Sequence, residues 1–374
     1  MSQSVFWPDY THSILGIPNT ILNYYGIPTS YTALPILKKS LRHKPKNVVL
    51  WILDGLGLDL IQQALPKNAF LRRHIVDSLS SVFPPTTTAA TTTYYSALPP
   101  VCHGWVGWSP YFANQNRYIE LFTGRDSFTG EQTQITGEKE LPYTHIFKQI
   151  LQGKTSVTCT EIFPQKIRQT GAVTFTEQCA RIRKQTRQPG QQFILAYWPE
   201  PDHTCHHTGT YSPESLSLIK QINLAIRNLC ASLSDTTVII SADHGHTPIK
   251  KIIYINDYPD FTDCLAVPLN MDDRVYSVFL KPNKEQQLVD SFHRYFSDDF
   301  MLIKSDIARQ KGLFGPGKQH PKITEFLGDY LIIATADKVL RHRVLEGVSG
   351  PEFLSSHAGL TAKEMIVPLM IISK

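Results

Sequence analysis

Three aspartates each follow a run of apolar residues, and histidines stand beside two of them. Asp54 follows Asn47–Leu53 (NVVLWIL), Asp202 comes four positions after Gln192–Trp198 (QFILAYW), and Asp243 comes two after Thr236–Ser241 (TTVIIS). The second and third belong to the patterns Asp202-x-x-x-His206 and Asp243-His244, and His357 lies in the small-residue stretch Ser355-Ser356-His357-Ala358-Gly359. A lone aspartate after a strand is usually a turn or capping residue. Three of them with three imidazoles form a donor set that suits Zn²⁺ or Mn²⁺ and is large enough for two divalent ions. A nucleophile could come from Phe83-Pro84-Pro85-Thr86-Thr87-Thr88. The prolines stop a strand and the threonines open a helix, whose N-terminus attracts anions through free N–H groups and its dipole. A threonine hydroxyl placed there could attack phosphorus if a metal lowered its pKa. Composition alone does not choose among Thr86, Thr87 and Thr88.

Elements must bring these groups together. The three apolar runs do not alternate and are rich in β-branched residues, as in strands buried on both faces of a parallel sheet. Between the second and third, Ser212-Pro213 is a helix start, and Leu216, Ile219, Ile222, Ile226, Leu229 and Leu233 recur at helical spacing. This alternation predicts an α/β fold: a doubly wound, mostly parallel sheet with helices on both faces, binding ligands beyond the carboxyl ends of its strands. Residues 274–280 and 330–334 read as strands and 285–296 as a helix, with no metal-ligand type at their ends. The expected organisation is an N-terminal extension (1–46) packing on the core, a catalytic core (47–254 and 346–374) closed by a strand at 365–372, and an inserted small α/β subdomain, or cap (255–345).

Composition narrows the classes. The 374 residues are 42% hydrophobic and 18% charged, with a net charge of +5. That excludes a disordered chain and lacks the charge density of a dedicated nucleic-acid binder, so no polymeric nucleic-acid partner is expected. The basic stretch at 38–46 is short and proline-broken, and reads as a solvated connector. No apolar run approaches the ~18–20 residues of a membrane span, so no membrane partner is expected. The six cysteines are scattered without a Cys-x-x-Cys, and no lysine or arginine precedes Lys38. Both features predict a cytoplasmic protein. Gly55-x-Gly57-x-x-Leu60 lacks the third glycine of a dinucleotide fingerprint, and Gly312-x-x-x-x-Gly317-Lys318 has Gln319 where a phosphate loop needs Ser or Thr. His203, His207, His246 and Cys205 stand beside the candidate ligands and read as lining residues.

In order along the chain come Leu53-Asp54-Gly55-Leu56-Gly57, then Phe83-Pro84-x-x-Thr87 with His103-Gly104. Glu200-Pro201-Asp202-x-x-x-His206-x-x-Gly209-x-x-Ser212, Ser241-Ala242-Asp243-His244-Gly245 and Ser356-His357-Ala358-Gly359-Leu360 follow. This series resembles the alkaline phosphatase superfamily, and within it the nucleotide pyrophosphatase/phosphodiesterase (type I phosphodiesterase) branch. The resemblance implies an alkaline-phosphatase-like core. It assigns Asp54, Thr87, Asp243 and His244 to one metal ion and Asp202, His206 and His357 to the other, Zn²⁺ first and Mn²⁺ as the alternative. It also makes Thr87 a nucleophile that is transiently phosphorylated. The implied activity is hydrolysis of phosphodiester or phosphoanhydride bonds in a small phosphorylated substrate, such as a nucleotide, by two in-line displacements. A phosphate monoesterase, a phosphonate hydrolase or a phosphotransferase to an alcohol would use the same site. One departure concerns substrate: Trp108 stands where many of these enzymes carry an asparagine that binds a phosphate oxygen. An indole offers one N–H and a stacking face. Lys166 and Arg168 are candidates for clamping a doubly charged phosphate.

Overall fold

The computed structural model describes residues 5–153, 156–343 and 352–374. Its central sheet has six strands, β1 (Asn47–Leu53), β2 (Ile75–Ser80), β3 (Thr158–Ile162), β4 (Gln192–Trp198), β5 (Thr236–Ser241) and β6 (Ile366–Ser373), in the spatial order β2–β6–β5–β1–β4–β3. The three apolar runs are strands at the limits their sequences suggested. β1 and β5 are buried along their whole length. Strands β3, β4, β1 and β5 run parallel, whereas β6 lies antiparallel between β5 and β2. The sheet is therefore mixed. Register sets the functional edge: Leu53 pairs with Trp198 and Ile52 with Ser241, so Asp54, Asp202 and Asp243 leave the sheet on one side.

Helices fall into two packing groups, as expected when both sheet faces are covered. One joins Leu58–Ala64, Phe70–Arg73, Phe175–Thr186 and Pro213–Cys230; the other joins Gly16–Tyr24, Thr87–Ser96 and Ile146–Gln152. The helix at Pro213–Cys230 begins where the sequence placed it, with the Ser212 hydroxyl accepting from the N–H of Ser215. Ile14, Ile17, Ile21 and Leu37 of the N-terminal region are buried in the same core as β1 and β5.

A second sheet, wholly antiparallel, orders its strands as Asn270–Met271, Val275–Val278, Tyr330–Ala334 and Phe300–Lys304. Alternation along Tyr330–Ala334 splits it between two clusters. Tyr330, Ile332 and Ala334 pack with Leu288 and Phe292 of the helix Glu285–Tyr295, while Leu331 and Ile333 pack with Trp105, Val106, Phe112, Ile119 and Leu141. The segment around 101–141, which has no clear period, thus covers one face of this sheet. The expected return to the core at 345/346 lies outside the described residues. No helix among the described residues is long and apolar enough to cross a membrane, and all six cysteines are free.

Candidate metal centre

Two clusters of ligand-type atoms form at the carboxyl edge of the central sheet. Asp54, Asp243 and His244 make one; Asp202, His206, His246 and His357 make the other, and in each the donor atoms lie within 4.8 Å of one another. The clusters adjoin, since the His244 and His357 rings stack at 3.7 Å between centroids.

The first cluster is held by hydrogen bonds that use half of each ligand. Asp243 Oδ1 accepts from the N–H groups of Gly55 at 3.1 Å and His244 at 3.0 Å. Asp54 Oδ2 accepts from the Tyr197 hydroxyl. The other oxygens, Asp54 Oδ1 and Asp243 Oδ2, are buried without a hydrogen-bond partner among the described residues. His244 Nδ1 lies 3.0 Å from the Gly245 carbonyl and so donates, which leaves the Nε2 lone pair facing inward. That Nε2 is 3.3 Å from Asp54 Oδ1, 3.5 Å from Asp243 Oδ2 and 3.3 Å from Thr87 Oγ1. Four donor atoms, Asp54 Oδ1, Asp243 Oδ2, His244 Nε2 and Thr87 Oγ1, thus converge. Burial and the facing Asp54 carboxylate push the Asp243 carboxyl well above its ordinary range. Burial opposes a charge on His244, yet the Asp243 and Asp54 carboxylates outweigh it and hold its pKa at about 10. The protein alone must keep protons here to relieve like charges, and a divalent cation would replace them. The donor set and its two orphaned oxygens fit a metal ion.

The second cluster surrounds Asp202 Oδ1, with Nε2 of His246 at 2.6 Å, of His206 at 3.3 Å and of His357 at 3.5 Å. His206 Nδ1 donates to the Ser355 carbonyl at 2.8 Å and His357 Nδ1 to the Pro85 carbonyl at 3.2 Å, the arrangement that turns an imidazole's other lone pair toward a metal. Burial works against the Asp202 carboxylate, but His206 and His246 outweigh it and set its pKa well below the ordinary value. Burial pushes His246 down to about 4 and, with His244 alongside, pushes His357 well down. The two clusters touch through Gly55, whose φ of +71° suits glycine and where a Cβ would fall 2.9 Å from Asp202 and from the His246 ring.

Thr87 is separated from its neighbours by position. It is the first residue of the helix Thr87–Ser96, with Thr86 at the N-cap in extended conformation. Thr86 and Thr88 are both 0% exposed, whereas Thr87 is half-buried and reaches His244. All seven residues assigned by resemblance therefore meet at one edge. His246, expected as a lining residue, joins the second cluster. Its signal was a further imidazole two positions after His244, but only the fold shows its ring against Asp202.

The candidate substrate residues are placed less tightly. Trp108 is half-buried; its ring meets Phe122 edge-on at 5.6 Å, and its backbone N–H donates to Asp272 Oδ2 at 2.9 Å. Lys166 and Arg168 follow β3 on the same side of the sheet and are exposed. Arg168 lies 3.5 Å from the Glu161 carboxylate and over the Phe163 ring. His203 and His207 are exposed and pair with each other, and Cys205 is buried.

Comparison with known proteins gives one family and several structures. A family model described as type I phosphodiesterase / nucleotide pyrophosphatase matches residues 48–325. A human protein, ectonucleotide pyrophosphatase/phosphodiesterase family member 7, is 29% identical over 79 residues, which is 18% of this chain and 17% of that protein's length. Murine ectonucleotide pyrophosphatase/phosphodiesterase 5 superposes with a TM-score of 0.63 at 18% identity, covering 87% of this chain and 88% of that one. An inactive variant of the murine protein in complex with AMP gives 0.62 at 19% identity, covering 86% and 87%. Phosphonoacetate hydrolase from Sinorhizobium meliloti 1021, in complex with phosphonoformate, gives 0.62 at 16% identity, covering 87% and 90%.

Proposed function

Because this chain belongs to the type I phosphodiesterase/nucleotide pyrophosphatase family, we propose that it hydrolyses phosphodiester or phosphoanhydride bonds in small phosphorylated molecules. The observation that carries this reading is the convergence of Thr87 Oγ1 and His244 Nε2 with two buried carboxylate oxygens that have no partner among the described residues. Asp54, Thr87, Asp243 and His244 would hold one divalent ion, and Asp202, His206 and His357 the other, with zinc first and manganese as the alternative. Such ions, when bound, supply positive charge that stabilises the attacking and leaving oxygens of an in-line displacement.

The chain's own residues then divide the work. The Thr87 hydroxyl, at the open start of its helix, attacks phosphorus. A P–O bond forms to Thr87 as the bond to the leaving alcohol or phosphate breaks, and the hydroxyl proton departs with that leaving group. Free N–H groups at the helix N-terminus face the phosphoryl oxygens. Water then attacks the phosphothreonine, releasing the phosphoryl product and restoring the hydroxyl. Tyr197, buried and held protonated by burial and by Asp54, keeps that carboxylate oriented. Residues 255–345 would serve as the cap, and Asp272 of that unit accepts a hydrogen bond from the Trp108 backbone N–H. The murine relative's AMP complex supports a nucleotide-sized substrate. Six free thiols, four of them buried, fit a cytoplasmic site of action.

The test compares catalytic efficiency on bis-p-nitrophenyl phosphate, p-nitrophenyl phosphate, a nucleotide p-nitrophenyl ester and phosphonoacetate. The diester and the nucleotide ester should be preferred. Preference for the monoester would overturn the reading and bring Lys166 and Arg168 forward as its clamp. Thr87→Ala should abolish turnover while bound metal remains; unchanged turnover would place the nucleophile elsewhere.

A further inference from the structure

Two side chains outside the ligand set join the second sheet to the loop that carries His357. Arg274 and Glu364 are both 0% exposed. Arg274 Nε donates to Glu364 Oε1 at 2.6 Å and Nη2 donates to Oε2 at 3.1 Å. The guanidinium's other donors go to the carbonyls of Lys338 at 2.8 Å and Ala336 at 2.7 Å, beyond the end of the strand Tyr330–Ala334. Glu364 in turn accepts the N–H of Gly359 at 2.7 Å and the hydroxyl of Thr361.

These bonds bear on both clusters. Gly359 stands two residues after His357, and Ala358 between them has φ of +89°, a conformation an alanine keeps only when its surroundings hold it. The backbone carbonyl of Glu364 accepts the N–H of Gly245, next to His244, at 2.8 Å. The approach is close: a Cβ on Gly245 would fall 2.0 Å from the Lys363 oxygen. One glutamate thus fixes the neighbours of a histidine from each cluster. A buried ion pair is weak evidence for stability, because desolvating both charges offsets their attraction and an apolar pair would fill the space as well. An apolar pair could not hold the Gly359 N–H or the backbone at Ala358.

We propose that Arg274 and Glu364 are positioning residues for metal binding, through which the second sheet sets His357 for the Asp202–His206–His357 centre. The proposal rests on the two-metal reading above. Its test is metal binding by the full chain, stripped and titrated with zinc against a chromophoric chelator, with bound zinc counted per chain. Wild type should bind two equivalents. Glu364→Gln keeps the shape of the side chain and should weaken one equivalent by about 10- to 100-fold, the effect usual for residues that orient metal ligands, with circular dichroism unchanged. Arg274→Lys keeps one charged contact but loses the forked geometry, and should give a smaller loss of the same equivalent; it carries the test alone should Glu364→Gln not fold. Lys284→Ala, which breaks an exposed 2.7 Å pair with Asp263 in the same unit, should change neither equivalent. Folded Glu364→Gln or Arg274→Lys protein that binds both equivalents as tightly as wild type would overturn the positioning role. Wild-type protein that binds fewer than two would instead overturn the metal reading beneath it.

Discussion

His103 belongs to the His-Gly motif that follows the helix of Thr87, and its surroundings make it a pH-sensitive anchor of the fold. The backbone N–H of Trp105 donates to His103 Nδ1 at 3.1 Å. His103 Nε2 must then carry the proton, which it donates to Thr93 Oγ1 at 3.2 Å, while the Thr93 hydroxyl donates to the Ala89 carbonyl at 3.0 Å. This chain admits only the neutral imidazole, because a second proton would point at the Trp105 N–H. Burial, with His320 nearby, accordingly lowers the His103 pKa from 6.5 to about 3. The sign follows from linkage. Between these values the unfolded chain takes up a proton that the folded chain refuses, so stability is whole above pH 6.5 and is lost as pH falls toward 3. At pH 5 the unfolded group sits about 1.5 units above the ambient pH, which costs about 2 kcal/mol at 1.36 kcal/mol per unit. His103→Asn removes the titration while retaining a short acceptor. Urea unfolding of the metal-stripped protein, followed by tryptophan fluorescence, reports on this region because Trp105 is 2% exposed beside His103. From pH 7.5 to 5.0 wild type should lose about 2 kcal/mol more than the variant. Equal losses would refute both the tautomer and the burial argument. The result would also separate His103, as a residue that holds the turn leading to Trp108, from the histidines proposed to hold metal.

Two further outcomes are expected. Tyr197→Phe removes the only hydrogen bond to Asp54 Oδ2 among the described residues and should weaken zinc binding about 10- to 100-fold with little loss of stability, read in the same chelator titration; unchanged affinity would mean that Tyr197 only packs. Burial pushes the thiols of Cys179, Cys205 and Cys230 up to about 12 and that of Cys159 to about 11. Iodoacetamide at pH 8 should therefore modify only the half-buried Cys102 and Cys159, and those slowly, by peptide mass mapping; rapid labelling of Cys205 would show that the second cluster opens to solvent.

Much of the site was legible in the sequence because its elements are extreme cases. β1, β4 and β5 lie in the middle of the sheet, so burial on both faces wrote them as unbroken apolar runs, and each metal-type aspartate follows the end of its run. The helix after Ser212 announced itself by a cap, a proline and a period. Other features left no local trace. The direction of β6 depends on which neighbours it meets, and an apolar run reads the same parallel or antiparallel. The segment around 101–141 lacks a period because its aromatics pack onto a sheet formed more than a hundred residues later. Among Thr86, Thr87 and Thr88 the side chains are identical, and only the turn into the helix leaves the middle one half-exposed beside His244.

By itself, then, the sequence determined the donor types, their order along the chain and the strands that deliver them, because burial and ligand chemistry act residue by residue. Tertiary structure decided how those groups are oriented. His246 reaches Asp202 across 44 positions and Arg274 reaches Glu364 across 90. Whether an imidazole faces an anion, or a buried guanidinium finds its carboxylate, depends on which distant segments the sheets bring together, and no local pattern encodes that.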